Sequence, residues 1–531
     1  MKRSPLIVLF LCLSVAACGD LGPSVDSGQV LHRGTGEEPE SLDVHKSNST
    51  EAGHVQRDLG EGLVGYTPDG ALRRAAAEHW EISDDGTEYT FVLRPDGRWS
   101  NGDPVTAEDF VYSYRRLVDP ATAALYTASV SSVANAPAIM RGEASADTLA
   151  VEAVTAQKLR ITLTQPVPYF LALLAHPSMF PVHRPSIEVH GDQHARPGNL
   201  VTNGAYRLVA WEIGSYIEIE RNEHYWDNDN TSIDRVRHYV TPQPMVELNR
   251  YRASELHITR TIPPGMFQEM KNQRPNQVRV SPALGVYYYG FNLDDEKFAN
   301  NPNLREALST AIDRETIVSL IGRGEAPAFS WVPPGTANYD PQVYSWSRMS
   351  KGERELRAQQ LYQAAGYGPD NPFTTTIRYN TQETHEQIAV AIQSMWRTVL
   401  GVEASLINEE FQVLLSNVQE GNMEIYRLNW NGDYNDAHTF LATLESNNSS
   451  NFTRYASEEF DDLMKRAARQ VDPSARKLFL EEAERHMLRD YPLIPVYFYI
   501  NRSMVSPQVS GWGDNVLNYH YSQHLSLAVD E

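Results

Sequence analysis

Trp430, Asp433 and Tyr434, in the word WNGDY, are the residues whose types and spacing most directly suggest chemistry. A carboxylate held between aromatic side chains is a receptor for a cation, because ring faces attract positive charge and a partly desolvated pair attracts far more strongly than one in bulk water. The same residues also make an ordinary Asx-type turn in solvent. On this segment alone both readings stand. Asp433 has to be positioned by the strand before it: Met423, Ile425 and Arg427 alternate with Glu424, Tyr426 and Leu428 up to Trp430, a period of two. Asn431 and Gly432 then end the alternation with turn formers, so the carboxylate is presented where the strand stops.

Other constellations are weaker. Gly60, Gly62 and Gly65 fit GxGxxG, but no strand runs into them and no phosphate-reading residue follows, so a turn is expected. His385-Glu386 begins HExxH without its second histidine, and neither a GxSxG elbow nor a Walker A word occurs. Asp227, Asp229 and Thr231 open like a calcium loop, yet Ser232 stands in place of the required glycine and His238 in place of the bidentate glutamate. His176, His183, His190 and His194 lie close in sequence, but their Pro-rich, irregular setting does not put them on one face. No metal, no cofactor and no enzymatic activity are expected.

The chain has 531 residues, 41% of them hydrophobic, enough for two or three domains. Lys2 and Arg3, the apolar run Leu6 to Leu13 and the small residues up to Ala17 have the layout of a secretory signal. The ending VAAC followed by Gly19 resembles a bacterial lipobox, which would make Cys18 an acylated first residue and the lipid the only membrane attachment. Cys12 lies inside the leader, so the mature chain keeps Cys18 alone and has neither a disulfide nor a thiol nucleophile. A formal net charge of −22 argues against a nucleic-acid partner, which requires a basic patch.

Further along, Tyr89, Phe91 and Leu93 alternate as a strand turned by Pro95-Asp96-Gly97, and Thr106 with Asp109 makes a capping box ahead of the stripe Phe110, Tyr114, Leu117 and Val118. Thr384 with Gln387 is expected to cap a helix through Leu400, ended by Gly401. A strand from Val402 to Ile407 and a helix from Glu410 to Val418 follow, an α/β alternation. The words EPESLD, EGLVGYTPDG, YTFVLRPDGRWSNGDPVTAEDFVYS, GNLVTNGAYRLV and ERNEHYWDNDN resemble signature stretches of the extracytoplasmic oligopeptide- and dipeptide-binding proteins of ABC importers, solute-binding protein family 5. The resemblance runs in order along nearly the whole mature chain.

That resemblance implies an α/β, two-lobed periplasmic-binding-protein-like fold (class II, cluster C) with an extra domain inserted in the N-terminal lobe. The expected boundaries are a leader at 1–17, a tether at 18–29, a first lobe from 30–58, 183–284 and 501–531, an extra domain at 59–182, and a third unit at 285–500. It also implies a lipid-anchored binder in the periplasm or cell envelope that carries short peptides to ABC permease subunits, as a monomer. By resemblance, Asp433 receives the peptide's α-ammonium group, Arg427 and His385 meet its carboxylate side, and Tyr126, Tyr288, Asn429, Trp430, Phe411 and Tyr499 line the cleft. A murein peptide, a metal chelate or a sugar is the alternative cargo, and a peptidase the rival class. Two departures stand out: Val418 occupies a position where the pattern has an arginine facing the peptide C-terminus, and Gly285 and Asn431 replace a cysteine pair.

Overall fold

The computed structural model describes residues 29–528; the expected leader, Cys18 and all of the tether but its last residue lie outside the described residues. The first strand, Val30–Gly36, buries every second residue and runs parallel to Arg235–Val240, with Tyr216–Arg221 and Tyr206–Glu212 continuing the sheet antiparallel. Leu31, Val236, Ile217 and Ile219 form its apolar face. A second four-stranded sheet, ordered Ala77–Ile82, Glu88–Leu93, Lys158–Thr162, Val151–Thr155, is covered by the helix Ala107–Val118. That helix begins with the expected capping box, Asp109 accepting from the Thr106 N–H at 2.7 Å, and buries the expected stripe from Phe110 to Val118.

The third sheet holds the WNGDY strand. Its order is Ala326–Pro327, Leu493–Met504, Val278–Phe291, Ile425–Asn431, Thr374–Asn380, Glu403–Glu409. Two of its strands are unusually long and antiparallel. Val278 to Ser281 pair with Met504 to Asn501, the register breaks between Pro282 and Val286, and pairing resumes from Phe498 to Leu493. Pro282 has no N–H to give a ladder, which suits it to the break. On one side of the break Met504 packs with Leu248 and Tyr251; on the other, Ile494 and Val496 pack with Ile388 and Trp396. The same strand pair therefore carries the chain between separate cores.

Two helices of this unit refine the expectations. The helix Phe411–Glu420 starts one residue late because Glu410 is its N-cap and accepts from the Gln412 N–H. The helix Glu383–Leu400 ends at Gly401 with a left-handed φ of 76°, as expected. Its start differs: Gln382 is the N-cap and makes no side-chain cap. The Thr384 hydroxyl instead accepts from Arg323 Nη2 at 3.0 Å, a partner remote in sequence that outcompetes the local cap. The expected turn at the three glycines is not what forms: Gly60 is the extended C-cap of the helix Thr50–Leu59, Gly62 follows in the link, and Gly65 stands in the short strand Val64–Tyr66, paired with Arg73. Among the described residues no helix is long and apolar enough to cross a membrane.

Candidate functional site

The loop after Asn431 is pinned at nearly every residue except through the Asp433 side chain. The Gly432 N–H donates to the Leu284 carbonyl at 2.8 Å, and a Cβ there would lie 2.9 Å from Thr439 and 3.0 Å from Phe440, so any larger residue would have to push these side chains aside. The Asp433 N–H reaches Thr439 Oγ1 at 3.2 Å, and the Trp430 indole donates to the Thr439 carbonyl at 2.8 Å. Asn435 accepts from the Ala337 N–H at 2.9 Å, and Arg476 clamps both oxygens of Asp436 at 2.6 and 2.8 Å. Tyr434 stacks on Tyr169 with centroids 4.3 Å apart and hydrogen-bonds His438 at 2.8 Å.

The Asp433 carboxylate has no hydrogen bond or ion pair among the described residues. Its side chain is open to solvent, yet the surrounding protein displaces enough water to raise its pKa from the ordinary carboxylate value. Its charge is felt by Tyr126, whose hydroxyl pKa is raised by burial first and by Asp433 second. Tyr126 comes from a different part of the chain, beyond the second sheet's covering helix, and packs on His176 at 4.4 Å. The arrangement is a rigid loop presenting an unpaired carboxylate beside aromatic surface.

The other half of the candidate set lies along the strand. Arg427, Asn429 and Asn431 pair across the ladder with Tyr289, Tyr287 and Gly285 and share a face with them. Arg427 is 3% exposed. Its guanidinium donates to Asn380 Oδ1 at 2.9 Å and to the Tyr499 hydroxyl at 3.4 Å, and lies 4.3 Å from the Tyr287 ring centroid. Its Nε has no partner, and no carboxylate pairs with it among the described residues. His385, at the start of the helix Glu383–Leu400, sits 3.4 Å from the Tyr287 hydroxyl. Burial, then the charges of Arg427 and Arg323, push its pKa down to about 3, so the ring is neutral at pH 7.

The structure thus brings Arg427, His385 and Tyr499 together on one face of the third sheet and sets Asp433 within electrostatic reach of Tyr126 at the strand's end, while Trp430 turns to the other face, half-buried against the core that holds Tyr288. Asn429 lies between Arg427 and Asp433, half-buried. Tyr288 is on the opposite sheet face, edge-on to Trp331 at 5.0 Å within a core, and Phe411 is 40% exposed at the first turn of its helix. Val418 is buried in that same core. Gly285 and Asn431 do face each other across the ladder, with Asn431 Oδ1 2.7 Å from where a Gly285 Cβ would stand. The four sequence-clustered histidines have separate occupations: His176 stacks on Tyr126, His183 accepts from the Ser186 N–H at 3.3 Å, His194 lies 3.7 Å from Asp43, and His190 closes a short helix. Arg323 and Tyr169 were missed by sequence reasoning; a charged residue between two glycines, as in Gly322-Arg323-Gly324, is the one local signal for the former.

Residues 71–452 match the family model for bacterial extracellular solute-binding proteins, family 5. The chain belongs to this family. The periplasmic oligopeptide-binding protein OppA of Salmonella typhimurium is 37% identical over 98% of this chain and 97% of its own. The structure superposes on the unliganded open form of the periplasmic murein tripeptide-binding protein MppA with a TM-score of 0.90, at 36% identity over 94% of this chain and 98% of that one. On Haemophilus influenzae OppA in complex with RPPGFSPFR the score is 0.71, at 35% identity over 94% and 99%. Identity and coverage are nearly equal in the two superpositions, so the parts of this chain stand nearer to the open family arrangement than to the peptide-bound one. The family's mixed α/β, two-lobed fold is the one expected above.

Proposed function

We propose that this protein is a lipid-anchored, extracytoplasmic solute-binding protein that captures short peptides in an inter-lobe cleft and delivers them to an ABC permease. The observation that carries the reading is Asp433: a carboxylate on a pinned loop, with no partner of its own, beside Tyr126 from another part of the chain. A peptide's α-ammonium group supplies the missing charge, and Arg427 with His385 receives the carboxylate side. Asp433 stands six positions after Arg427, at most about 20 Å if fully extended, a span suited to a few extended residues. Main-chain hydrogen bonding of the ligand as an added strand recognises all peptides alike, which suits an uptake protein.

In this reading residues 30–58, 183–284 and 501–531 form one lobe, 59–182 an added domain and 285–500 the opposing lobe, with the register break at Pro282 to Val286 as the hinge. Cys18 carries the lipid, and the protein works as a monomer. The likeness to an open family member supports a closing motion on binding. Calorimetry with a free tripeptide tests the core of it. Asp433→Ala is expected to lower affinity by roughly 3–5 kcal/mol, since the ammonium is left without its counter-charge. N-acetylation of the peptide should produce a comparable loss on the wild type. A change of less than tenfold in either arm rejects the assignment.

A further inference from the structure

The Asp433 carboxylate has no partner among the described residues, so its place is set by its neighbours in the chain. Most of them are held from within residues 284–476: Gly432 by the Leu284 carbonyl, Asn435 by the Ala337 N–H, Asp436 by Arg476. Tyr434 is held from outside. Its ring faces that of Tyr169, which follows the strand Lys158–Thr162 of the second sheet. The two planes lie 6° from parallel with centroids 4.3 Å apart, and the Tyr169 ring is also 4.7 Å from the His438 ring and 5.9 Å from the Arg476 guanidinium. The hydrogen bond of the Tyr434 hydroxyl to His438 Nδ1, at 2.8 Å, closes the group. Tyr169 therefore sits in a socket of two rings and a cation.

A socket fixes a loop only if what enters it is rigid. Tyr169 immediately precedes the helix Phe170–Leu174, and its carbonyl accepts the Ala172 and Leu173 N–H groups at 3.0 and 3.3 Å. Phe170 is fully buried and meets Tyr89 edge-on at 5.0 Å, while the Tyr89 hydroxyl donates to the Val167 carbonyl at 3.2 Å. The ring is thus anchored to the core of the second sheet. That unit also touches the one bearing Asp433 at a further point, for a Cβ on Gly86 would stand 3.4 Å from Val471.

We propose that Tyr169 is a positioning residue for peptide capture, acting through Tyr434 to hold the Asp433 carboxylate where the ligand's ammonium group meets it. This rests on the peptide-binding reading above. An aromatic stack contributes beyond the area it buries, and a loop already fixed loses less freedom when the ligand arrives. Recognition of the amine is then tied to the seating of the added domain. With the socket empty, Asp433 keeps its charge and loses its place. A ring that merely glued two units together would weaken all peptides alike.

The test is displacement calorimetry with Ala-Ala-Ala and its N-acetyl form on the mature protein, as wild type, Tyr169→Leu, Tyr169→Gln and Tyr169→Phe. Wild type is expected to prefer the free amine by roughly a hundredfold or more. Tyr169→Leu and Tyr169→Gln should each cut that preference by roughly threefold to tenfold, through weaker binding of the free peptide. Tyr169→Phe keeps the stack and should restore it. An unchanged preference in Tyr169→Leu and Tyr169→Gln, equal weakening of both peptides, or a loss in Tyr169→Phe as large as in Tyr169→Leu overturns the assignment. So does failure of both Tyr169→Leu and Tyr169→Gln to fold, which makes the ring part of the fold alone. If wild type binds the two peptides equally, the Asp433 reading fails and the positioning role with it; a failure confined to the variants leaves that reading standing.

Discussion

Glu484 and Asp433 are both carboxylates set into the same unit of the molecule, and the protein treats them in opposite ways. Glu484 is fully buried, and each oxygen is filled: one accepts the Trp331 and Val332 N–H groups at 2.9 and 2.7 Å, the other the Tyr339 hydroxyl and the Gln342 N–H, both at 2.7 Å. Asp433 is fixed through its backbone and given nothing at its carboxylate. The cations repeat the contrast. Arg314, 0% exposed, spends its donors on the carbonyls of Pro495, Ser309 and Ile312 and on Ser309 Oγ, and Arg476, whose Nε is bare too, clamps Asp436, whereas Arg427 has a bare Nε and no carboxylate among the described residues. A structural charge is saturated by its own fold, because a buried polar group left unmet costs free energy. A charge held rigid but unsaturated marks where something else is meant to bind.

The sharpest way to break this comparison is Glu484→Ala. It strands three backbone N–H groups and a hydroxyl, and should cost on the order of 3–5 kcal/mol in chemical denaturation, while tripeptide affinity of the folded protein stays within twofold. A large loss of affinity at unchanged stability would make Glu484 functional and void the distinction. A second effect separates the two by pH. Burial pushes Glu484 up to about 7, against an unfolded value of roughly 4.3. Between those values the folded state binds more protons, so this group's stabilisation is complete below about pH 4 and is lost as pH rises towards 7, by roughly 3 kcal/mol. Buried neutral histidines such as His45, held at about 3, contribute the opposite slope and are common to wild type and variant. Glu484→Gln should therefore have the more positive slope of stability against pH over this window; parallel curves refute it.

The smallest effect is also the most telling. The Asp433 pKa is raised in the folded protein, so its charged form at neutral pH works against the empty fold. Asp433→Asn should leave the melting temperature of the ligand-free protein unchanged or slightly higher, despite the loss of binding. A lower melting temperature would return Asp433 to the structural class.

Much of this was legible because it is local. The alternation before Trp430, the turn formers after it, the Thr106–Asp109 capping box and the stop at Gly401 each depend on residues a few positions apart. What escaped depends on pairing between distant segments. Thr384 reads as a cap until Arg323, 61 residues away, takes its hydroxyl. The Tyr169–Tyr434 stack joins residues far apart in the chain. The face occupied by Tyr288 is settled by its pairing with Leu428 and not with Arg427, a register that no single strand contains and that a shift of one residue would reverse.

The strand Leu493–Met504 sits inside the six-stranded sheet, zipped to Val278–Phe291. Asn501 and Ser281, hydrogen-bonded there, are 220 positions apart. A nascent chain therefore displays the unpaired edge of Val278–Phe291 for nearly half the length of the polypeptide before its neighbour exists. Such non-local closure is slow, and an exposed edge of this kind invites aggregation. Assembly of the sheet that bears Asp433 must wait for almost the last residues to be made.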